Sequence, residues 1–274
     1  MDKVTVNRLA EMKREGQRIT ALAAYDFPIA SLIDAAGVDL VLVGDSLGMT
    51  FRGEENTLTV TVEDIAYHTR AVRRGVKRAL LVADMPFLSC HVSAEKTLEN
   101  AGKMIISGAE AVKLEGIDGV VETVPRLLAA GVPVMGHLGL TPQSIHKLGG
   151  YKVQGRQGKA AQKLFDDARR LEEAGAFALV LECVPAELAA RVSEALAIPA
   201  IGIGAGPDCD GQILVANDML GLTPGRAPRF VKRYAELADA AKTAIETYVR
   251  ETRGGAFPAA EHSYPAEPRR LKAV

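Results

Sequence analysis

The sequence is poor in the residue types that would staple a small fold or build a metal cluster. Its 274 residues include only three cysteines and no tryptophan, and aromatic residues make up 5%. The cysteines are Cys90, Cys183 and Cys209, an odd number without a C-x-x-C pair. This pattern argues against a disulfide framework and against a structural zinc site. We therefore expect reduced, buried thiols.

Charge of one sign and long apolar runs are also lacking. Lys and Arg number 33 and Asp and Glu 34, so the net charge is −1. Proteins that bind nucleic acids are usually basic, so we expect no nucleic-acid partner. The apolar run at 38–43 is far shorter than the ~20 residues that cross a membrane, and the N-terminus lacks a signal-peptide core. We predict a cytoplasmic protein without a membrane partner.

A helix–strand unit recurs along the chain. In each unit an amphipathic stretch ends at a glycine, which suits the left-handed position after a helix. A continuous Val, Leu and Ile run follows, as in strands covered on both faces. Eight candidate strands have this character: ITALAAYD, VDLVLVGD, RALLVADM, EAVKLEG, PVMGHLG, ALVLEC, PAIGIGAG and GQILVAND.

Eight such units favour an α/β fold, a closed (β/α)8 TIM barrel with an extra N-terminal helix at Val6–Arg14. We expect residues 1–274 to form one catalytic domain with a C-terminal tail from about residue 254. The alternative is a doubly wound sheet. It would need a G-x-G-x-x-G turn after the first strand, and the sequence has none there.

Polar residues stand at the carboxyl ends of the predicted strands, where barrels of this class keep their chemistry. They are Asp26, Asp45, Asp84, Glu115, His137 and Glu182. Five carboxylates at one mouth repel each other, and several could not stay ionised without a cation. Oxygen ligands suit a hard divalent ion, so Mg²⁺ is the candidate. Asp26 alone is explained as well by a helix cap.

Lys113 and Glu115 alternate by two along one strand, so they face the same side and Lys113 needs an anionic partner there. His137 either hydrogen-bonds a substrate oxygen or is a satisfied core histidine, and we place it among the substrate-binding candidates. The glycine-rich, basic segment 146–156 is typical of a mobile lid. The other histidines lack the spacing of a metal site.

Six sequence blocks resemble one enzyme family. GDSLGM, ADMPF, VKLEG, GHLGLTPQS with LGGYKVQG, LVLECVP and IGIGAG are similar to ketopantoate hydroxymethyltransferases (3-methyl-2-oxobutanoate hydroxymethyltransferases). The resemblance covers nearly the whole chain, including the FPAAEHSY tail. It implies transfer of a hydroxymethyl group from 5,10-methylenetetrahydrofolate to 3-methyl-2-oxobutanoate (α-ketoisovalerate). The product is 2-dehydropantoate (ketopantoate), formed in pantothenate biosynthesis through a Mg-stabilised enolate.

The resemblance also implies residue roles and an assembly. It implies that the metal residues are Asp45, Asp84 and Glu115 and that Glu182 is the general base. Ser46 and Lys113 contact the substrate, and the metal residues Asp45 and Asp84 also belong to the substrate-binding set. Family members are usually decamers. Three alternatives stay open: a Mg²⁺-dependent lyase of the isocitrate lyase and phosphoenolpyruvate mutase kind, a Schiff-base aldolase with Lys113 as nucleophile, and a non-catalytic module that binds 2-oxo acids.

Overall fold

Eight parallel strands form a closed barrel in chain order. The structure is a computed structural model that describes residues 2–225 and 227–265. The strands are β1 (Ile19–Ala23), β2 (Leu40–Val43), β3 (Leu80–Asp84), β4 (Ala111–Glu115), β5 (Val134–Gly139), β6 (Ala178–Glu182), β7 (Ala200–Ile203) and β8 (Gly211–Val215). β8 pairs back onto β1 from Ile19↔Gly211 to Ala23↔Val215. The predicted (β/α)8 barrel is confirmed.

Helices surround the barrel. They are α1 (Val6–Arg14), α2 (Phe27–Ala35), α3 (Leu47–Thr50), α4 (Val62–Gly75), α5 (Ala94–Ile106), α6 (Val124–Ala129), α7 (Ile145–Leu148), α8 (Gly158–Glu173), α9 (Ala186–Ala195), α10 (Ala216–Met219) and α11 (Leu237–Arg253). Single 3₁₀ turns lie at Val121–Thr123, Pro142–Ser144 and Ala260–His262. The extra N-terminal helix occupies the predicted residues.

The bottom of the barrel is closed by α1. Leu9 and Met12 on its inner face are buried. Lys13 contacts α9 and the segments that precede β7 and β8. Its Nζ donates to the carbonyl oxygens of Ser193 and Ile198 and pairs with Asp210 at 2.8 Å. The open end of the barrel is therefore the one at the carboxyl ends of the strands.

Seven of the eight strands end earlier than their sequence patterns suggested, because the residues that follow belong to the loops, whereas β5 ends at Gly139 as predicted. Asp26 lies beyond the end of β1 and caps α2 instead, since its carboxylate accepts the N–H of Ile29 at 2.9 Å. Asp26 thus takes the structural role that its sequence position equally allowed.

The C-terminal helix α11 differs from the others because none of its residues is buried. Ile245 and Tyr248 are 62% and 55% exposed on it. The predicted tail begins at Gly254, which ends α11, and residues 266–274 of that tail lie outside the described residues. Within residues 2–225 and 227–265, no helix is long and apolar enough to cross a membrane.

Candidate active site

A cavity of about 620 Å³ opens at the carboxyl ends of the strands. It gathers side chains that are far apart in sequence, because every parallel strand ends at this face of the barrel. The structure places all of the site residues predicted from the sequence on its wall: Asp45, Ser46, Asp84, Lys113, Glu115, His137 and Glu182.

Lys113 lines the cavity and is buried. Its Nζ is 2.8 Å from Oδ1 of Asp84 on the neighbouring strand and 3.8 Å from Oε2 of Glu115. Burial disfavours the ammonium form, but the surrounding carboxylates outweigh burial and raise the pKa of Lys113 above its usual value. Lys113 is therefore a fixed positive charge, and it has the anionic partner that its position on the strand required.

His137 joins the two glutamates of the site. Its Nδ1 lies 3.3 Å from Oε2 of Glu115, and its Nε2 lies 3.2 Å from Oε2 of Glu182. Burial and the charge of Lys113 lower the pKa of His137, but the two glutamates outweigh them and raise it to about 9. Nδ1 of His137 also lies 3.2 Å from Nζ of Lys113, so two carboxylates and one ammonium surround the imidazole ring.

Of the four predicted site carboxylates, Asp45 is the one that forms no ion pair within the described residues. Burial, and then the charges of Asp84 and Glu115, raise its pKa well above the usual value. Its Oδ2 accepts a hydrogen bond from the side-chain amide of Gln143 at 2.8 Å. Its backbone N–H donates to Oδ2 of Asp84 at 3.1 Å. A cation beside Asp45 and Asp84 would relieve the repulsion between these acids.

The donor set fits Mg²⁺, because Asp45 and Asp84 offer hard carboxylate oxygens. In the described part of the chain, no group of three His, Cys, Asp or Glu residues is gathered closely enough to hold a metal ion. Glu115, the third predicted ligand, is engaged by the N–H of Gln143 at 2.7 Å and faces His137. Asp84 is engaged as well, by Lys113 and by the N–H of Asp45, so Asp45, Asp84 and Glu115 all stay predicted ligands, and water or substrate oxygens would complete the shell of a Mg²⁺ ion.

Ser46 is held at the rim by a short chain of hydroxyl groups. Its Oγ lies 2.7 Å from the hydroxyl of Tyr25, which accepts a hydrogen bond from Oγ1 of Thr50 at 3.1 Å. Tyr25 is buried. The Ser46 hydroxyl therefore has a fixed position beside the acid cluster, as a substrate contact requires.

The outer wall of the cavity is mainly apolar. Phe230, Ile213 and Met49 line it together with part of the segment expected to act as a lid, 151–153. A volume of about 620 Å³ gives the cavity room for more than a small 2-oxo acid.

Comparison with known proteins identifies the family. A sequence model described as ketopantoate hydroxymethyltransferase matches residues 3–260. This chain belongs to the ketopantoate hydroxymethyltransferase family. It is therefore an enzyme of the transferase class.

Full-length relatives of the family support this assignment. The 3-methyl-2-oxobutanoate hydroxymethyltransferase of Thermoanaerobacter sp. (strain X514) is 53% identical over 272 residues, which is 99% of each chain. The protein of that name from Carboxydothermus hydrogenoformans is 53% identical over 275 residues and covers 100% of both chains.

Solved structures share the fold at low sequence identity. A phosphonopyruvate hydrolase in complex with oxalate and Mg²⁺ has a TM-score of 0.59 and 16% identity, covering 94% of this chain and 93% of its own. A 2,3-dimethylmalate lyase of the phosphoenolpyruvate mutase and isocitrate lyase superfamily has a TM-score of 0.60 and 16% identity, covering 95% and 91%. The barrel of this ketopantoate hydroxymethyltransferase family member is thus shared with that superfamily.

Gln143 and Tyr25, which hydrogen-bond the predicted site residues, were not predicted from the sequence. Gln143 and Tyr25 follow strands β5 and β1, so their position at the mouth was the available signal. Neither ionises in a way that marks a site, and the direction of their side chains depends on loop geometry that spacing does not reveal.

Proposed function

We propose that this enzyme transfers a hydroxymethyl group from 5,10-methylenetetrahydrofolate to 3-methyl-2-oxobutanoate, which forms 2-dehydropantoate in pantothenate biosynthesis. The observation that carries the proposal is one cavity in which the Asp84–Lys113 ion pair, the Asp45 carboxylate and Glu182 face a common space. These are the groups needed to bind a 2-oxo acid, acidify its C3 hydrogen and remove that hydrogen. The names of the full-length relatives support the same substrate.

Asp45 and Asp84 would hold Mg²⁺, with Glu115 supporting the site through Lys113 and His137. When bound, Mg²⁺ supplies Lewis acidity that polarises a keto group. Lys113 offers its ammonium protons to the oxygen on which negative charge develops as the C3 proton leaves. Ser46, fixed by Tyr25, donates to a substrate carboxylate or keto oxygen.

Glu182 removes the C3 proton in this proposal. Its side chain is 16% exposed, against 1% for Asp84 and 2% for Glu115, so of these predicted site acids it is the one open enough to meet a substrate carbon. Nε2 of His137 lies 3.2 Å from one carboxylate oxygen of Glu182, and in this proposal the contact orients that oxygen and leaves the other oxygen for the proton. His137 thus positions the base from the cavity wall.

The size of the cavity supports a second substrate. The 2-oxo acid would sit at the acid cluster, where Lys113 and Asp84 lie. The apolar outer wall around Phe230 then remains for a larger, partly aromatic molecule such as the folate.

We further propose a homo-oligomer, a decamer by family resemblance, in the cytoplasm and without nucleic-acid or membrane partners. The fully unburied helix α11 and the exposed Leu32, Tyr67 and Ile106 supply apolar surface for contacts between copies.

A direct assay tests the function. Purified protein is mixed with 3-methyl-2-oxobutanoate and 5,10-methylenetetrahydrofolate, with and without Mg²⁺, and product is followed by NMR. We expect Mg²⁺-dependent formation of 2-dehydropantoate by the wild type and by the exposed control Asp166→Ala. In a separate calorimetric titration with 3-methyl-2-oxobutanoate, Asp84→Ala should show no Mg²⁺-dependent binding. Absence of product from folded wild type would contradict the proposal.

A further inference from the structure

Gln143 connects three strand ends of the site. It lies in the single 3₁₀ turn Pro142–Ser144 after β5 and is buried. Its side-chain amide nitrogen donates to Oδ2 of Asp45 at 2.8 Å and to the carbonyl oxygen of Met85 at 3.0 Å. Its backbone N–H donates to Oε1 of Glu115 at 2.7 Å. One residue therefore ties together the ends of β2, β3 and β4.

The orientation of the Gln143 amide is dictated by its neighbours. Asp45 and Met85 both present acceptor oxygens, so the amide nitrogen must face them. A flipped amide would place Oε1 against a carboxylate and a carbonyl. As oriented, Oε1 is buried and accepts no hydrogen bond within the described residues. A buried acceptor of this kind requires a donor.

Asp45 depends on Gln143 more than the other acids do. Asp84 is held by the ammonium of Lys113 and by the backbone N–H of Asp45. Glu115 is held by a backbone N–H and faces His137. Within residues 2–225 and 227–265, the Asp45 carboxylate accepts a hydrogen bond from one donor, the side-chain amide of Gln143. Without it, the carboxylate of Asp45 would be free to rotate.

We propose that Gln143 is a positioning residue for the divalent cation of the proposed function. Its amide occupies one oxygen of Asp45 and thereby leaves the other oxygen turned to the cavity. Its free Oε1 is an acceptor for water, of which a bound Mg²⁺ usually keeps several molecules. Gln143 acts through Asp45 and does not need to touch the organic substrate. This inference rests on the proposed function, because it assumes a cation at Asp45.

Metal titration of the full chain tests the inference without any turnover. Mn²⁺ serves as the probe, and free Mn²⁺ is followed by electron paramagnetic resonance in the absence of both organic substrates. Gln143→Met keeps the length of the side chain and removes its donors. The matched control is Gln162→Met on the exposed face of α8. We expect Mn²⁺ affinity to fall about 10- to 100-fold in Gln143→Met, the usual effect of losing a partner of a metal ligand, and to be unchanged in the control.

A second readout separates positioning from a merely structural role. In the turnover assay, Gln143→Met should need more Mg²⁺ for half-maximal rate, while kcat at saturating Mg²⁺ returns towards the wild-type value. Gln143→Asn, which keeps a shorter amide, provides the same comparison if the methionine variant does not fold. A lower melting temperature with wild-type Mn²⁺ affinity would overturn the inference and leave the proposed function intact. No Mn²⁺ binding by the wild type would overturn the inference, whereas the proposed function is tested separately by the assay for 2-dehydropantoate.

Discussion

At the scale of single residues, Lys113 decides between two kinds of chemistry. A lysine that forms a Schiff base must first lose its proton, and burial usually helps it to do so. Here the 2.8 Å contact with Asp84 acts in the opposite direction and raises the pKa of Lys113. This contact supports the proposed role of Lys113 as a charge partner for an anionic substrate over the aldolase alternative, which needs a neutral lysine.

The role of Lys113 can be tested by substitution and by trapping. Arginine keeps the charge but replaces a compact ammonium with a planar fork. We expect Lys113→Arg to fold and to lose about 10²-fold or more in kcat, as for loss of a fixed donor at a developing charge. Treatment of the wild type with 3-methyl-2-oxobutanoate and borohydride should give no adduct by mass spectrometry. A trapped adduct on Lys113 would overturn this mechanism.

At the scale of elements, the ends of β5 and β6 pack so closely that they determine where Glu182 lies. Gly139 ends β5 with φ +97°, and a Cβ there would collide with the carbonyl oxygen of Glu182 and lie 2.8 Å from Val184. The N–H of Leu140 donates to the same carbonyl oxygen at 2.8 Å. Any side chain at 139 would push the backbone of Glu182 away.

Gly139→Ala is thus predicted to impair catalysis by moving Glu182. A displacement of about 1 Å can cost about 10²-fold in rate, so we expect a loss of kcat on that scale. The matched control is Gly131→Ala, where φ is +81° and the added Cβ meets no atom within 4 Å. That variant should lose about 1 kcal/mol of stability from backbone strain and keep its activity. Equal kcat in the two variants would contradict the coupling of β5 to Glu182.

Hydrogen bonds from Asp34 join α2 to the segment before β3. Asp34 accepts the backbone N–H groups of residues 77, 78 and 79 at 2.8–3.1 Å. Burial works against its charge, but these three donors hold the pKa of Asp34 below its usual value. The pKa is lowered in the folded state, so the contribution of Asp34 to stability is present above the unfolded pKa of about 3.9. It is lost as the pH falls through the folded pKa.

Asp34→Asn should therefore lower the free energy of unfolding by about 1 kcal/mol at neutral pH, because a charged acceptor is replaced by a neutral one. The difference from wild type should shrink as the pH falls below about 4. Urea denaturation over this pH range measures it, with Asp166→Asn on the surface as the control. A difference that is constant with pH would show that Asp34 does not stabilise through its charge.

At the scale of the whole molecule, apolar periodicity was sufficient to predict the barrel. All eight strands and α1 lie where their sequence patterns placed them, since a parallel strand buried on both faces needs a continuous apolar run. The sequence also predicted that Asp45, Lys113 and Glu182 lie close together, because parallel strands end at the same face of the barrel. The link from Gln143 to Asp45 did not follow, since it depends on a turn conformation that spacing does not encode. The exposed state of α11 was equally hidden, because its amphipathic pattern resembles that of a packed helix.

The surface of α11 leads to a prediction about assembly. A helix with no buried residue but with Ile245 and Tyr248 on its surface is costly to leave in water. We expect light scattering at assay concentrations to report a large homo-oligomer, a decamer by family resemblance. Ile245→Glu should reduce its size or raise the concentration at which it dissociates. A wild-type particle with the mass of one 29.1 kDa chain would contradict this expectation.

We propose that Glu182 removes the C3 proton of a 2-oxo acid bound beside Asp45 and Asp84. Exchange of that proton in D₂O, followed by NMR without any folate, measures this step alone. We predict Mg²⁺-dependent exchange of 3-methyl-2-oxobutanoate by the wild type. Glu182→Gln should still bind the acid with Mg²⁺. The rate of C3 proton exchange should fall by about 10²-fold or more, the usual scale for a lost general base. Wild-type exchange by the glutamine variant would contradict this role of Glu182 and move the base to another residue.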